Sequence, residues 1–341
     1  MSQPSLEGLR AFGWSERVAA LFRPSLDDGL RPARVIAVER GAVRVATADD
    51  ERLLAEVGLA VGDWVAIDGS RVVDVIPRWS ALERLDPDGG RQVMAANVDL
   101  VLITAPADRL SPARVERELV VAWESGARPV VVVTKADVAP HGLIDDLITR
   151  LGATELIVTS AIDGVGLDAL TALLGHPTTA VLLGPSGAGK STLVNALAGE
   201  DLLAVGAVRD EDNRGRHTTS SRRLLPLPTG GSLIDMPGLR SLGTDAGAGA
   251  VAAAFPEIDD LAVECHFADC SHGVEPGCAV KAAADSGALD PLRLASYRKL
   301  EKELAHERRR VDPVARQESQ RQWKTIHRTT RHNPNPKRDG R

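Results

Sequence analysis

The segment Gly184-Pro185-Ser186-Gly187-Ala188-Gly189-Lys190-Ser191-Thr192 constrains this chain more than any bulk property, because it demands a strand before it and a helix after it. Both are legible: an apolar run at 180–183 precedes it, and a helix-forming stretch at 191–198 follows. Glycines let backbone N–H groups close on phosphates at a helix N-terminus, Lys190 neutralises the β and γ charges, and the Ser191 hydroxyl is a ligand for Mg2+. Further apolar runs at 98–103, 129–133, 155–158 and 232–234 alternate with helical stretches such as 111–125 and 166–174. That alternation predicts an α/β fold with a doubly wound sheet, which binds ligands beyond the carboxyl ends of its strands.

Other motifs close other runs. Thr134-Lys135-Ala136-Asp137 follows 129–133. A carboxylate at Asp137 accepts the N1–H and N2 protons of guanine, a pair adenine lacks, while the Lys135 stem packs over the purine. Thr134 stands where Asn is usual and is shorter, so its bridge to the phosphate loop is expected to be weak or absent. Thr159-Ser160-Ala161 closes 156–158 and offers the Ala161 N–H to guanine O6. Asp235-Met236-Pro237-Gly238 ends 232–234, with Asp235 expected to hold Mg2+ through water and the Gly238 N–H to meet the γ-phosphate. In Arg216-His217-Thr218-Thr219, Thr219 is favoured over Thr218 to complete the Mg2+ shell.

The motifs run base reader, phosphate loop, switch, whereas most GTPases run from phosphate loop to base reader. All parts present in shuffled order predict a circularly permuted P-loop GTPase domain that takes GTP/GDP and Mg2+. The loop wording also resembles guanylate kinases and ABC ATPases. An ABC domain needs a Leu-Ser-Gly-Gly signature, which this chain lacks, and a P-loop ATPase or nucleoside monophosphate kinase leaves Asp137 and Asp235 unexplained.

No apolar run approaches the ~18–20 residues of a membrane span, and the first thirty residues carry Glu7, Glu16, Asp27 and Asp28, so a cytoplasmic address without membrane attachment is expected. The chain is also expected to be a monomer. The formal charge of −6 is unevenly spread. From 293 to 341 there are 15 Lys or Arg against 6 Asp or Glu, and elsewhere 26 against 41: an acidic body with a basic tail.

Residues 1–29, with Pro24 among their apolar positions, read as a flexible arm. Short β-type runs at 34–38, 41–46, 63–67 and 71–76 predict a small barrel of the OB type over 30–78. The GTPase domain is expected at 79–245, a helical zinc-binding domain at 246–330 and a disordered basic tail at 331–341. Cys265, Cys270, His272 and Cys278 supply three thiolates and an imidazole within fourteen residues, suited to one structural tetrahedral Zn2+. His266 is an alternative imidazole.

This order of motifs behind a small barrel, with the Cys-x4-Cys-x-His-x5-Cys cluster, resembles the bacterial small-ribosomal-subunit-dependent GTPases of the YjeQ/RsgA family. The phrases Gln92-Val93-Met94-Ala95-Ala96-Asn97-Val98-Asp99 and Ser296-Tyr297-Arg298-Lys299-Leu300 carry the same resemblance. It implies binding to the 30S subunit and its 16S rRNA late in maturation, with GTP hydrolysis accompanying release. Leu239 stands where a water-orienting Gln would follow the switch, so intrinsic turnover is expected to be slow, and His217 is the candidate to place water. Gly187 replaces the Asn usual in potassium-dependent GTPases, and no K+ site is expected. Arg308-Arg309-Arg310, Arg321, Lys324, Arg328 and Arg331 are candidates for rRNA phosphates. A nucleotide-regulated RNA-binding scaffold with little turnover is the alternative.

Overall fold

The computed structural model describes residues 6–85, 90–203, 222–236 and 246–311. The N-terminal segment is a 3-10 helix, Glu7–Phe12, followed by α1, Glu16–Asp27, whose N-cap Ser15 accepts from the Val18 N–H. The expectation of a flexible arm is overturned from residue 6 onward. Val18 and Phe22 share a helix face, Leu9 and Phe22 are fully buried, and Trp14 and Phe22 meet Trp64 edge-on with ring centres 5.5 and 6.0 Å away. Pro24 lies in α1 without ending it.

Five antiparallel strands follow: β1 Arg31–Glu39, β2 Ala42–Ala46, β3 Glu51–Leu54, β4 Trp64–Asp68 and β5 Arg71–Val75. They pair in the order β3-β2-β1-β4-β5 around Ala33, Val35, Val43, Val45, Leu54, Val65 and Ile67. Among the described residues no ladder joins β3 to β5; Arg52 of β3 donates instead to the carbonyl of Gly69 at the β4–β5 turn. A hairpin, β6 Ala81–Leu85 and β7 Arg91–Ala96, connects this unit to the next.

The central sheet is built from β8 Leu100–Pro106, β9 Arg128–Thr134, β10 Leu156–Val158, β11 Thr179–Leu183, β12 Arg223–Pro226 and β13 Ser232–Asp235. Its spatial order is β10-β9-β8-β11-β13-β12, parallel except for β12. The strand before the phosphate loop, β11, comes after β8, β9 and β10 in the chain and lies between β8 and β13 in space. Joining the end of β13 to the start of β8, and opening the chain before β11, would restore a sheet that begins at the phosphate loop. The permutation is thus a property of the topology as well as of the motif order.

Between these strands lie α2 Pro112–Glu124, α3 Leu143–Leu151, α4 Leu167–Leu173 and α5 Lys190–Ala198. Alternate strand residues feed opposite faces, as period-2 geometry requires. Val101, Ile103, Val131 and Val133 pack with Leu119 of α2 and Leu147 of α3, while Leu100, Leu102, Val130 and Val132 pack with Leu170 of α4 and Leu193 and Leu197 of α5. One long strand also spans two units: β1 pairs with β12 at Ala37–Arg223, so the barrel-like strands and the central sheet form one continuous sheet.

The C-terminal part comprises α6 Ala248–Ala254, α7 Pro256–Ala262, the cysteine loop, α8 Ala279–Ser286 and α9 Pro291–Val311. It docks on α2 through buried charge. Arg293 of α9 bonds the carboxylate of Glu116 at 3.1 Å, that of Glu257 at 2.5 Å and the carbonyl of Ala254 at 2.7 Å, and its guanidinium lies over the Phe255 ring. Arg150 of α3 reaches the same Glu116 at 2.7 Å. Among the described residues no helix is long and apolar enough to cross a membrane. The expected tail at 331–341, which begins with Arg331, and Arg321, Lys324 and Arg328 before it lie outside the described residues.

Candidate functional site

Gly184 follows the last residue of β11 and turns the chain, and no larger residue fits: a Cβ there would lie 2.0 Å from Thr104 Oγ1, whose hydroxyl bonds the Leu183 carbonyl. Gly187 and Gly189 take left-handed conformations, with φ of 70° and 83°, and Gly189 is the N-cap of α5. Pro185, Ser186 and Ala188 complete the turn, and Lys190, Ser191 and Thr192 form the first helical positions. Among the described residues no side chain caps α5, which leaves its first N–H groups for an anion. Lys190 Nζ folds back onto the carbonyls of Gly184 and Pro185 at 2.8 Å each. Burial pushes this ammonium below the usual lysine range, against the fields of Glu118 and Asp235. Asp235 ends β13, the parallel neighbour of β11.

The base-reading segment meets this loop from the other side. Thr134, last residue of β9, donates from Oγ1 to the Ala188 carbonyl at 2.7 Å. The expected weak or absent bridge is therefore made: the short hydroxyl reaches because the loop passes directly beside the end of β9. Lys135 takes a left-handed φ of 58° that swings the chain into the 3-10 turn Ala136–Val138 carrying Asp137. Ser160 is buried, and its Oγ lies 2.9 Å from Asp137 Oδ1 and 3.1 Å from Asp163 Oδ2. The hydroxyl thereby fixes the Asp137 carboxylate beside half-buried Ala161.

Three neighbours were not anticipated from sequence. Asp108 bonds Lys135 Nζ at 2.7 Å, which holds its carboxyl below the usual carboxylate range. Arg109 donates to the Ser186 carbonyl at 2.7 Å. Glu118 of α2 is lifted by burial to about 7, with Arg114, Lys190 and Arg117 opposing the shift. The available signal was position: β8 ends between the base reader and the phosphate loop, so the residues just after it had to line the site. His217, Thr219 and Gly238 lie outside the described residues.

Cys265, Cys270, His272 and Cys278 converge, with one ligand atom from each all within 4.8 Å of one another. His272 Nδ1 is 3.6 Å from Sγ of Cys265 and of Cys278, and those two sulfurs are 3.9 Å apart. Tetrahedral zinc with its usual bond lengths implies ligand edges of about 3.5–3.8 Å, so the donor set fits that ion. His266 packs edge-on to the Phe267 ring at 4.7 Å and is not among the four.

The RsgA GTPase family model matches residues 75–245. A small ribosomal subunit biogenesis GTPase RsgA from Streptomyces coelicolor is 45% identical, covering 95% of this chain and 94% of that protein. The protein of the same name from Opitutus terrae is 42% identical, covering 94% and 96%. A crystal structure of YjeQ from Thermotoga maritima superposes with a TM-score of 0.64 at 26% identity, covering 81% of this chain and 98% of that one. The structure of YloQ, described as a circularly permuted GTPase, superposes with a TM-score of 0.58 at 22% identity, covering 82% and 96%, and speaks for the fold alone. With the permuted sheet, the joined nucleotide motifs and relatives matched almost end to end, the chain belongs to the RsgA GTPase family.

Proposed function

We propose that this GTPase acts in biogenesis of the small ribosomal subunit, binding the subunit and its 16S rRNA in the GTP state and leaving on hydrolysis. The observation that carries the reading is the joined site: Thr134 bonded to Ala188 across it, and Asp137 held by Ser160. In this reading Asp137 accepts the guanine N1–H and N2 protons, the Lys135 stem covers the base and the Ala161 N–H meets O6. The amides from Gly184 to Thr192 cradle the phosphates while Lys190 exchanges the loop carbonyls for β- and γ-oxygens. Ser191, Thr219 and Asp235 would hold Mg2+, which when bound neutralises phosphate charge. Gly238 senses the γ-phosphate and His217 places the attacking water.

The four-ligand cluster holds one structural Zn2+ in this reading, and the strands β1–β5 serve as an OB-type module. The basic run that includes Arg308 and Arg309 on α9 contributes contacts to rRNA phosphates. The protein works as a cytoplasmic monomer.

The deciding experiment measures GTP turnover with and without purified small subunits, at rising salt. Stimulation by the subunit, fading steeply with salt, is the expected outcome. Equal turnover in both arms would favour the nucleotide-regulated scaffold instead. Loss of stimulation in His217→Ala, with GTP binding retained, is expected from the role given to that side chain; full stimulation would remove it.

A further inference from the structure

We propose that Arg109 is a catalytic cation supplied in cis, which moves from the phosphate-loop backbone onto the β–γ region of bound GTP and stabilises the charge that develops during hydrolysis. The inference rests on the GTPase activity of the chain and assigns a further residue to it.

Topology places the side chain. β8 is the parallel neighbour of β11, in register from Leu100–Ala180 to Ile103–Leu183, so the turn Ala107–Arg109 after β8 overlies the phosphate loop after β11. Arg109 Nη2 lies 2.7 Å from the Ser186 carbonyl, and a Cβ built on Gly187 would stand 2.5 Å from that same nitrogen. The guanidinium thus occupies the space that a side chain at Gly187 would fill, directly over the loop whose amides face the phosphates. Here the bare glycine has a second consequence beyond its left-handed φ: it admits an arginine.

The charge of that arginine is only weakly spent inside the protein. Its carboxylate neighbour Asp108 lies 3.9 Å from Nε, while the same Asp108 holds Lys135 Nζ at 2.7 Å. The close bond of Arg109 is to a neutral carbonyl, and about half of its side chain, 52%, is open to solvent. A guanidinium carries five N–H donors in a fixed fork, so it can keep one bond to backbone and turn others to phosphate oxygens, or exchange a neutral acceptor for an anionic one. The exchange is favourable because a phosphate oxygen adds ion-pair attraction and a two-pronged acceptor to a bond that the neutral carbonyl makes with the cation alone.

The chemistry leaves room for such a group. Phosphoryl transfer is driven mainly by electrostatic stabilisation, and an arginine near the phosphates serves this purpose in other GTPases. In this chain Leu239 follows the switch in place of a water-orienting Gln, and Gly187 has no side-chain oxygen with which to recruit a monovalent cation. Among the described residues it is Arg109 whose atoms a Cβ on Gly187 would meet first, so the chain itself brings a cation to this place.

The competing role is a clamp, in which Arg109 only stiffens the loop through Ser186. The two separate in full-length protein carrying Arg109→Ala or Arg109→Lys, assayed for GDP affinity, single-turnover GTP hydrolysis with and without small ribosomal subunits, and capture of GDP with aluminium fluoride. A catalytic cation predicts that Arg109→Ala keeps GDP affinity within about threefold, loses about 100-fold or more in hydrolysis and fails to capture aluminium fluoride, with Arg109→Lys recovering part of both. Hydrolysis and capture at wild-type levels in Arg109→Ala would overturn the proposal, as would a loss of GDP affinity that accounts for the whole change. Wild-type turnover in the same assay tests the activity itself, separately from Arg109.

Discussion

Thr134 and Ala188 tie the two halves of the nucleotide site together: Oγ1 of the first donates to the carbonyl oxygen of the second at 2.7 Å. Ala188 is fully buried, so Thr134→Ala leaves that carbonyl without its partner, at about 1–3 kcal/mol. The consequence falls on the phosphate loop, and GDP and GTP affinities are expected to drop together by about tenfold. Thr134→Ser retains the donor and is expected to bind nearly as wild type. Titration calorimetry with GDP checks both; equal affinity in Thr134→Ala would show that the bridge is dispensable.

Arg293 is the joint between the C-terminal helices and the nucleotide domain, with 2% of its surface exposed and Glu116, Glu257 and the Ala254 carbonyl around it. Removing Arg293 leaves buried Glu116 with Arg150 alone and the Ala254 carbonyl without this donor, so Arg293→Ala is expected to destabilise the protein by about 3 kcal/mol. A lowered urea midpoint for the unfolding of both parts is the readout. An unchanged midpoint would mean that these charges are solvated and the joint lies elsewhere.

Much of the site was legible because its motifs carry their own geometry: a phosphate loop fixes a strand, a helix and the position of Lys190, and the four zinc-type ligands sit close in the chain. What was not legible depends on contacts between distant segments. Thr134 reaches Ala188 because the phosphate loop passes beside the end of β9, and nothing in the tetrapeptide itself records that. Arg109 and Asp108 belong to no motif and acquire meaning from the pairing of β8 with β11. Strand β3 was missed because Glu51 and Arg52 interrupt the apolar pattern, although Leu54 is buried. Division into separate units also hid the Ala37–Arg223 pairing, which runs one sheet through both.

Burial lifts the Glu118 carboxyl from 4.5 in the unfolded chain to about 7, so between those values the folded protein holds a proton that the unfolded chain releases. The associated stability is full below pH 4.5 and is lost as pH rises through 7. Glu118→Gln removes the penalty of ionising a buried carboxyl. Without nucleotide it is expected to match wild type near pH 4.5 and to exceed it above pH 7 by up to about 3 kcal/mol. Urea unfolding across this range tests the sign; a variant less stable than wild type at pH 8 would mean that the ionised carboxylate makes a favourable contact with Lys190.

Cys278 joins two functions in one sulfur: it lies in the four-ligand cluster and caps α8 by accepting from the Lys281 N–H at 3.3 Å. Cys278→Ser keeps an acceptor for the cap while replacing a thiolate with a poor zinc ligand, so it isolates the metal contribution. Purified protein is expected to contain about one Zn2+ per chain and the variant far less, with unfolding shifted to lower denaturant. Elemental analysis showing no zinc in wild type would reject the metal site.

Leu9 and Phe22 test whether the N-terminal segment belongs to the fold. Both are fully buried, and the segment they anchor also supplies backbone acceptors: the Phe12 carbonyl to Arg34, and the Ala11 carbonyl to Ser232 of β13 at 3.0 Å. Arg34 is itself 1% exposed, and burial lowers its guanidinium to about 10, so it depends on the carbonyls that Phe12 and Asn97 provide. A flexible arm would tolerate truncation of either side chain to within about 0.5 kcal/mol. Packed as it is, Leu9→Ala is expected to lose about 2–5 kcal/mol and Phe22→Ala about 3–5 kcal/mol. Because Ser232 begins the strand that ends at Asp235, the loss is expected to reach the nucleotide site, lowering GDP affinity at moderate urea before global unfolding. Unfolding curves of both variants that overlay wild type would restore the reading of the segment as an arm.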